Sequence, residues 1–135
     1  MPPIAFCLGA ARHDYAREQL TNADGPAVLV LHHPPAPVGH HVMDHFALTN
    51  PGDLEALVRN HDSVIGVFTG HVHTALATQF AGVPLIGAPG IVSTMRLGSR
   101  TDPIADSDAM PGLALHTING STIRTVFHYL SPSAL

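Results

Sequence analysis

The chain has 135 residues, of which 45% are hydrophobic and only 12% charged, and its formal net charge is −4. That length holds one domain or part of one, and the apolar content is enough to bury a core. Six Lys and Arg scattered without a basic run argue against a nucleic-acid partner, and no stretch approaches the roughly 18 apolar residues of a membrane span.

The N-terminus has no basic region ahead of its apolar residues, so no secretory leader is expected. Cys7, the single cysteine, leaves no internal disulfide and fits a reducing compartment. A cytoplasmic location is the expectation. In chain order, residues 1–11 are short, apolar and Pro-initiated, an edge strand or an unstructured lead. Residues 14–23 have helix-forming composition with a weak apolar stripe of Tyr15, Ala16, Gln19 and Leu20. Asp24-Gly25-Pro26 stops that helix. Residues 27–31 form a continuous apolar run of the buried-strand type.

From His32 to Asn50 the prolines and Gly39 prevent regular structure. This loop carries His40, His41, Asp44 and His45 and is the candidate substrate-facing lid, because loops at strand ends often carry function. The plainer reading of each is a solvated loop residue. Asn50-Pro51-Gly52-Asp53 is a helix start, with Asn as cap, Pro at the first position and an acid at the third. Leu54, Leu57 and Val58 make its buried face, and it ends near Asn60-His61. Residues 64–69 are a second buried strand, and two apolar strands around one helix read as a βαβ unit. Residues 76–80 and 83–86 flank Ala81-Gly82 as a hairpin. Gly87-Ala88-Pro89-Gly90 breaks it, residues 91–97 form a short strand, and 98–111 a polar loop. An Asn119-Gly120 turn joins the β-rich runs 113–118 and 121–129 in the clearest hairpin. The sum is a β-rich α/β fold with one crossover helix and terminal hairpins.

The chemistry concentrates at Gly70-His71-Val72-His73, which follows the second buried strand. Two residues separated by one put both imidazoles on one side of an extended backbone, and glycine ahead of them allows close approach. Neutral imidazole is the commonest side-chain metal ligand. The first strand ends the same way, in His32-His33-Pro34-Pro35. Two such strand ends meet at one edge of an open sheet, where α/β proteins place ligands. Eleven histidines make a single His-x-His unremarkable, but two strand-terminal histidine groups together are less easily accidental. His13, His116 and His128 have structural explanations, and Asp102, Asp106 and Asp108 lie in a loop. Ser93 and Thr94 follow a Gly-Ile-Val stretch that is a candidate to approach the site, although spacing alone does not place it there.

Across about residues 14–130 the chain resembles the C-terminal half of the calcineurin-like metallophosphoesterases, and within them the class III cyclic-nucleotide phosphodiesterase branch. The matching features are His32-His33-Pro34-Pro35, Met43-Asp44, Leu48-Thr49-Asn50, Gly70-His71-Val72-His73, the Phe80-Ala81-Gly82-Val83-Pro84 hairpin and the closing strand pair. The resemblance implies half of an α/β/β/α sandwich and a single partial domain over 1–135. It implies hydrolysis of a phosphodiester, such as 3',5'-cyclic AMP, by a metal-activated hydroxide. It also implies divalent ions among Mn, Fe and Zn, held as a pair about 3.5–4 Å apart. By position, His32 and His71 would ligate one ion and His73 the other, with His33 a neighbour. The substrate-facing set would be His33, Gly70, His40 and Asp44.

The family's Asp-x-His, Gly-Asp-x-x-Asp and Gly-Asn-His-Asp/Glu motifs are missing, and with them the bridging aspartate and catalytic histidine. Gly52-Asp53 and Asn60-His61-Asp62 echo them but lie between the two histidine motifs, as helix cap and helix end. Two expectations follow. One is an enzyme portion that needs a missing N-terminal half. The other is an inactive half-domain that binds at most one metal and self-associates as a homodimer. A stand-alone zinc module is disfavoured, because one cysteine excludes the thiolate-rich types.

Overall fold

The computed structural model describes residues 7–96 and 103–131. In chain order these are α1 (Ala10–Thr21), β1 (Ala27–Leu31), α2 (Pro51–Arg59), β2 (Val64–Thr69), β3 (Leu76–Phe80), β4 (Val83–Gly87), β5 (Thr94–Met95), β6 (Ala105–Asp106), β7 (Gly112–Asn119) and β8 (Thr122–Tyr129). A one-turn 3-10 helix, Met43–Phe46, interrupts the loop after β1. The main sheet has the order β1-β2-β4-β3. β1, β2 and β4 run parallel, and β3 returns antiparallel beside β4. The expected β1-α2-β2 crossover is therefore present. Among the described residues no helix is long and apolar enough to cross a membrane.

Strand alternation sends Val67 and Leu85 to one face, where both are fully buried with Leu20 of α1 and Leu54, Leu57 and Val58 of α2. The other face of β2 meets the β7-β8 hairpin. Phe68 stacks on His116 with ring centroids 3.8 Å apart. A Cβ on Gly66 would lie 2.6 Å from Ile123 Cδ1, so the hairpin packs into the space that glycine leaves. The layers are helix, sheet and hairpin, a mixed α/β arrangement as expected.

Several local expectations shift. β1 forms over the predicted residues, yet Val30 is 74% exposed. The strand lies at the sheet edge, and the hairpin covers β2 rather than β1. Asn50 occupies the cap position of α2 without capping a backbone N–H. Its amide instead holds Leu8, accepting from Leu8 N at 2.9 Å and donating to Leu8 O at 3.1 Å, and it donates to the Asp53 carboxylate. α1 starts at Ala10, earlier than composition implied, and residues 1–6 of the proposed lead lie outside the described residues. Of the strand expected at 91–97, only Thr94 and Met95 pair, with β6. Leu97, and residues 98–102 of the following loop, lie outside the described residues.

The terminal hairpin turns one residue later than expected. Asn119 pairs with Thr122, and the two-residue turn is Gly120-Ser121 with Gly120 at φ 55°. Glycine first in a two-residue turn matches the strand twist, so the register follows Gly120. At the other hairpin both central residues are left-handed, Ala81 at φ 52° and Gly82 at φ 92°. This suits the strand twist and strains the alanine.

Candidate metal centre

The ends of β1 and β2 are tied together by Gly70 N–H, which donates to the His32 carbonyl at 3.2 Å. This brings the two histidine motifs side by side. Ring centroids are 4.8 Å apart for His32 and His33, 5.2 Å for His32 and His71, and 4.4 Å for His33 and His71. One ligand nitrogen from each of the three lies within 4.8 Å of the others. The group sits at the C-terminal ends of parallel strands, where βαβ sheets place ligands.

His73 does not join this group of three. The motif is not extended, because His71 and His73 take φ of 65° and 53°. The same-side argument for His-x-His therefore does not apply. Val72 between them is fully buried, and its N–H donates to the Gly70 carbonyl at 2.7 Å. The turn is plugged into the fold by Val72, and His73 lies outside the group of three. Left-handed backbone costs a non-glycine residue about 1–2 kcal/mol, and such strain concentrates at functional sites. Gly70 itself is not required by crowding, since a Cβ there would meet His32 Nδ1 at 3.6 Å, an ordinary contact.

Burial, and then the nearby His33, His32 and His73, push the His71 imidazole below its ordinary value. Burial, and then His32, do the same for His33. Both are held neutral at pH 7, the form that coordinates a cation. Three imidazoles whose ligand nitrogens lie together fit one borderline ion such as Zn²⁺, with a fourth position open. They do not fit a complete ion pair, because the group contains no carboxylate to offset two adjacent cations.

Outside this group, the other sequence-predicted residues have hydrogen-bond partners of their own. The Asp44 carboxylate accepts from Val38 N at 2.7 Å and Gly39 N at 3.2 Å, closing its own loop. His40 is only 1% exposed, and its Nδ1 accepts from Val42 and Met43 N–H at 3.2 and 3.1 Å. The plainer reading of a solvated loop residue fails for His40. Thr94, flagged for its position, donates its hydroxyl to the His73 carbonyl at 2.6 Å. His116 was assigned a structural role, and it has one. It stacks on Phe68 and pairs its Nδ1 with the Thr125 hydroxyl at 2.8 Å. It also lines an open cavity of about 530 Å³ with His32, Gly70, Val30 and Ile86. Sequence spacing gave no sign of that cavity, because it depends on the hairpin folding back over β2.

No protein-family model matches the chain. It is 37% identical over 75 residues to a glycerophosphodiester phosphodiesterase of Enterobacter lignolyticus, covering 55% of this chain and 27% of that protein. It is 33% identical over 70 residues to a 3',5'-cyclic adenosine monophosphate phosphodiesterase of Escherichia coli K12, covering 50% and 26%. It is 28% identical over 92 residues to a 3',5'-cyclic-nucleotide phosphodiesterase of Nostoc, covering 68% and 34%. The chain thus spans about a quarter to a third of these relatives. A dimetal phosphatase from Danio rerio shares the fold over 92% of this chain and 39% of its own, with a TM-score of 0.60 and 16% identity. Sequence and fold together make this chain a partial-length match to the calcineurin-like metallophosphoesterase superfamily.

Proposed function

We propose that this chain contributes the histidine side of a metal-dependent phosphodiesterase centre. The carrying observation is the convergence of His32, His33 and His71 at two adjacent strand ends. The partial matches to phosphodiesterases support it. A bound divalent cation supplies Lewis acidity and lowers the pKa of water. The chain's residues supply the rest. His32, His33 and His71 hold the ion, and burial and mutual proximity disfavour protonation of His33 and His71. The Gly70–His32 backbone bond fixes the two strand ends in register, and the Val72 plug keeps the turn rigid. The substrate class is a phosphodiester, with 3',5'-cyclic AMP the specific member favoured by the relatives' activities. Residues that complete an ion pair come from polypeptide equivalent to the rest of the relatives, and the edge position of β1 among the described strands supports a strand being added there.

A second reading is favoured by the donor set, which has no carboxylate. In it the chain holds one ion at most, does not turn over substrate, and self-associates through the exposed apolar surface of Val30 and of Leu113, Leu115 and Val126 on the hairpin. One set of measurements separates the two. Zn²⁺ and Mn²⁺ binding are titrated against the wild type, His71→Ala and His73→Ala, and bis-p-nitrophenyl phosphate hydrolysis is followed with each metal. One Zn²⁺ per chain is expected, with affinity falling about tenfold or more in His71→Ala and little in His73→Ala. Turnover that disappears in His71→Ala supports the enzyme reading. Metal binding with no turnover, in a chain that sediments as a dimer, supports the second. Failure of His71→Ala to weaken binding sinks the site itself.

A further inference from the structure

The open cavity of about 530 Å³ beneath the β7-β8 hairpin is shared by two imidazoles, those of His32 and His116. The His32 ring lies beside Gly70, where a Cβ would meet its Nδ1 at 3.6 Å. The His116 ring lies on Phe68, with centroids 3.8 Å apart and planes 12° from parallel. Phe68 and Gly70 are two residues apart at the end of β2, so their Cα atoms are separated by about 7 Å. His116 is thus placed next to a member of the histidine group by the strand they both lean on. Thr69 also lines the cavity, but its hydroxyl is buried, which leaves His32 and His116 as the accessible polar side chains on these walls.

The fold uses only one nitrogen of His116. Nδ1 pairs with the Thr125 hydroxyl at 2.8 Å, from the strand opposite in the hairpin. That bond and the stack on Phe68 fix the ring in plane and rotation. Nε2 stays accessible and has no partner among the described residues. Burial pushes the imidazole below its ordinary value, so the ring is neutral at pH 7. A neutral imidazole whose Nδ1 accepts the Thr125 hydroxyl proton carries its own proton on Nε2 and is a donor there.

We propose that His116 is a substrate-binding residue whose Nε2–H donates to one oxygen of a phosphoester oxyanion while another oxygen is held at the histidine group. The proposal rests on the phosphoesterase reading above and adds to that site a residue from the terminal hairpin. A hydrogen bond to a charged oxygen at such a position is worth about tenfold in affinity.

The test uses methylphosphonate, a non-hydrolysable oxyanion with no large ester group, and follows its binding to the Zn²⁺-loaded chain by calorimetry. His116→Phe keeps an aromatic ring for the stack and removes the donor, so affinity should fall about tenfold with Zn²⁺ binding unchanged. His116→Gln restores an N–H donor and should bind between the two. In the wild type, methylphosphonate should also move the His116 imidazole resonances in ¹⁵N NMR, a readout that needs no variant to fold. Equal affinity in wild type and His116→Phe, equal losses in the two variants, or unmoved His116 resonances with the ligand bound each overturn this proposal alone. Zn²⁺ binding by the wild type with no methylphosphonate bound overturns the phosphoesterase reading, and this proposal with it.

Discussion

β1 and β2 are nearly the same sequence object with different fates. Both are short apolar strands that end in histidine, Ala27–Leu31 and Val64–Thr69. β2 is paired on both sides, has α1 and α2 on one face and carries the hairpin on the other. Among the described residues β1 is paired on one side only, and its Val30 is exposed. Apolar composition selected a strand in both places. Burial was decided by what each strand found beside it. Parallel strands are normally covered on both faces, so among the described residues β1 is where the sheet is left open. Two cavities flank it, and both are lined by His32.

The largest test of this contrast is truncation on the two sides. Leu85→Ala, in the layer shared with β2, should destabilise by about 2–5 kcal/mol in denaturant titration, because it leaves a cavity among fully buried neighbours. Val30→Ala on β1 should cost less than about 0.5 kcal/mol. Equal effects would mean that β1 is covered in solution, by a partner or a second copy.

Next in size is the hairpin contact that separates the two strands. Gly66→Ala places a methyl against Ile123 and should cost about 1–3 kcal/mol. Ile123→Val in the same chain should recover part of it. Independent, additive effects would mean that the hairpin does not rest on β2.

A smaller effect comes from pH. His33, His71 and His116 have folded-state values below their unfolded ones. The unfolded chain therefore binds more protons between those lowered values and about 6.5, the ordinary histidine value. Stability is fully present above about pH 6.5 and declines as pH falls through that window. Melting temperature followed from pH 7.5 to 5 should drop. The drop should shrink in His71→Ala, since one depressed group and its neighbours' repulsion are removed together. Added Zn²⁺ should steepen the dependence, because protons compete for the same nitrogens.

The smallest effect lies at the far side of the sheet from β1. Ala81 holds φ 52° in the β3-β4 turn, so Ala81→Gly should stabilise by about 1 kcal/mol. A neutral or negative result would show that the methyl's packing against the core outweighs its backbone strain.

Much of this architecture was legible before the structure. Local periodicity placed the β1-α2-β2 unit and both hairpins, because strand alternation, a Pro-initiated helix and glycine turns act over a few residues. The motif His32-His33 and the motif Gly70-His71-Val72-His73 marked the strand ends that meet. Their metal-site membership was not legible in the same way. The resemblance places His32 and His71 at one ion, His73 at the other and His33 beside them; the folded chain brings His33 together with His32 and His71. Asp44 and His40 stood out as site residues, and the fold uses both inside their own loop.

The sequence by itself determined which segments are strands and helices and that histidines terminate two of them. These depend on short-range patterns of apolar and turn residues. The tertiary structure alone decided that β1 is an edge among the described strands, that Val72 is buried between His71 and His73, and that His33 joins His32 and His71. Each of these depends on a neighbour distant in sequence, and such contacts leave no local periodicity to read.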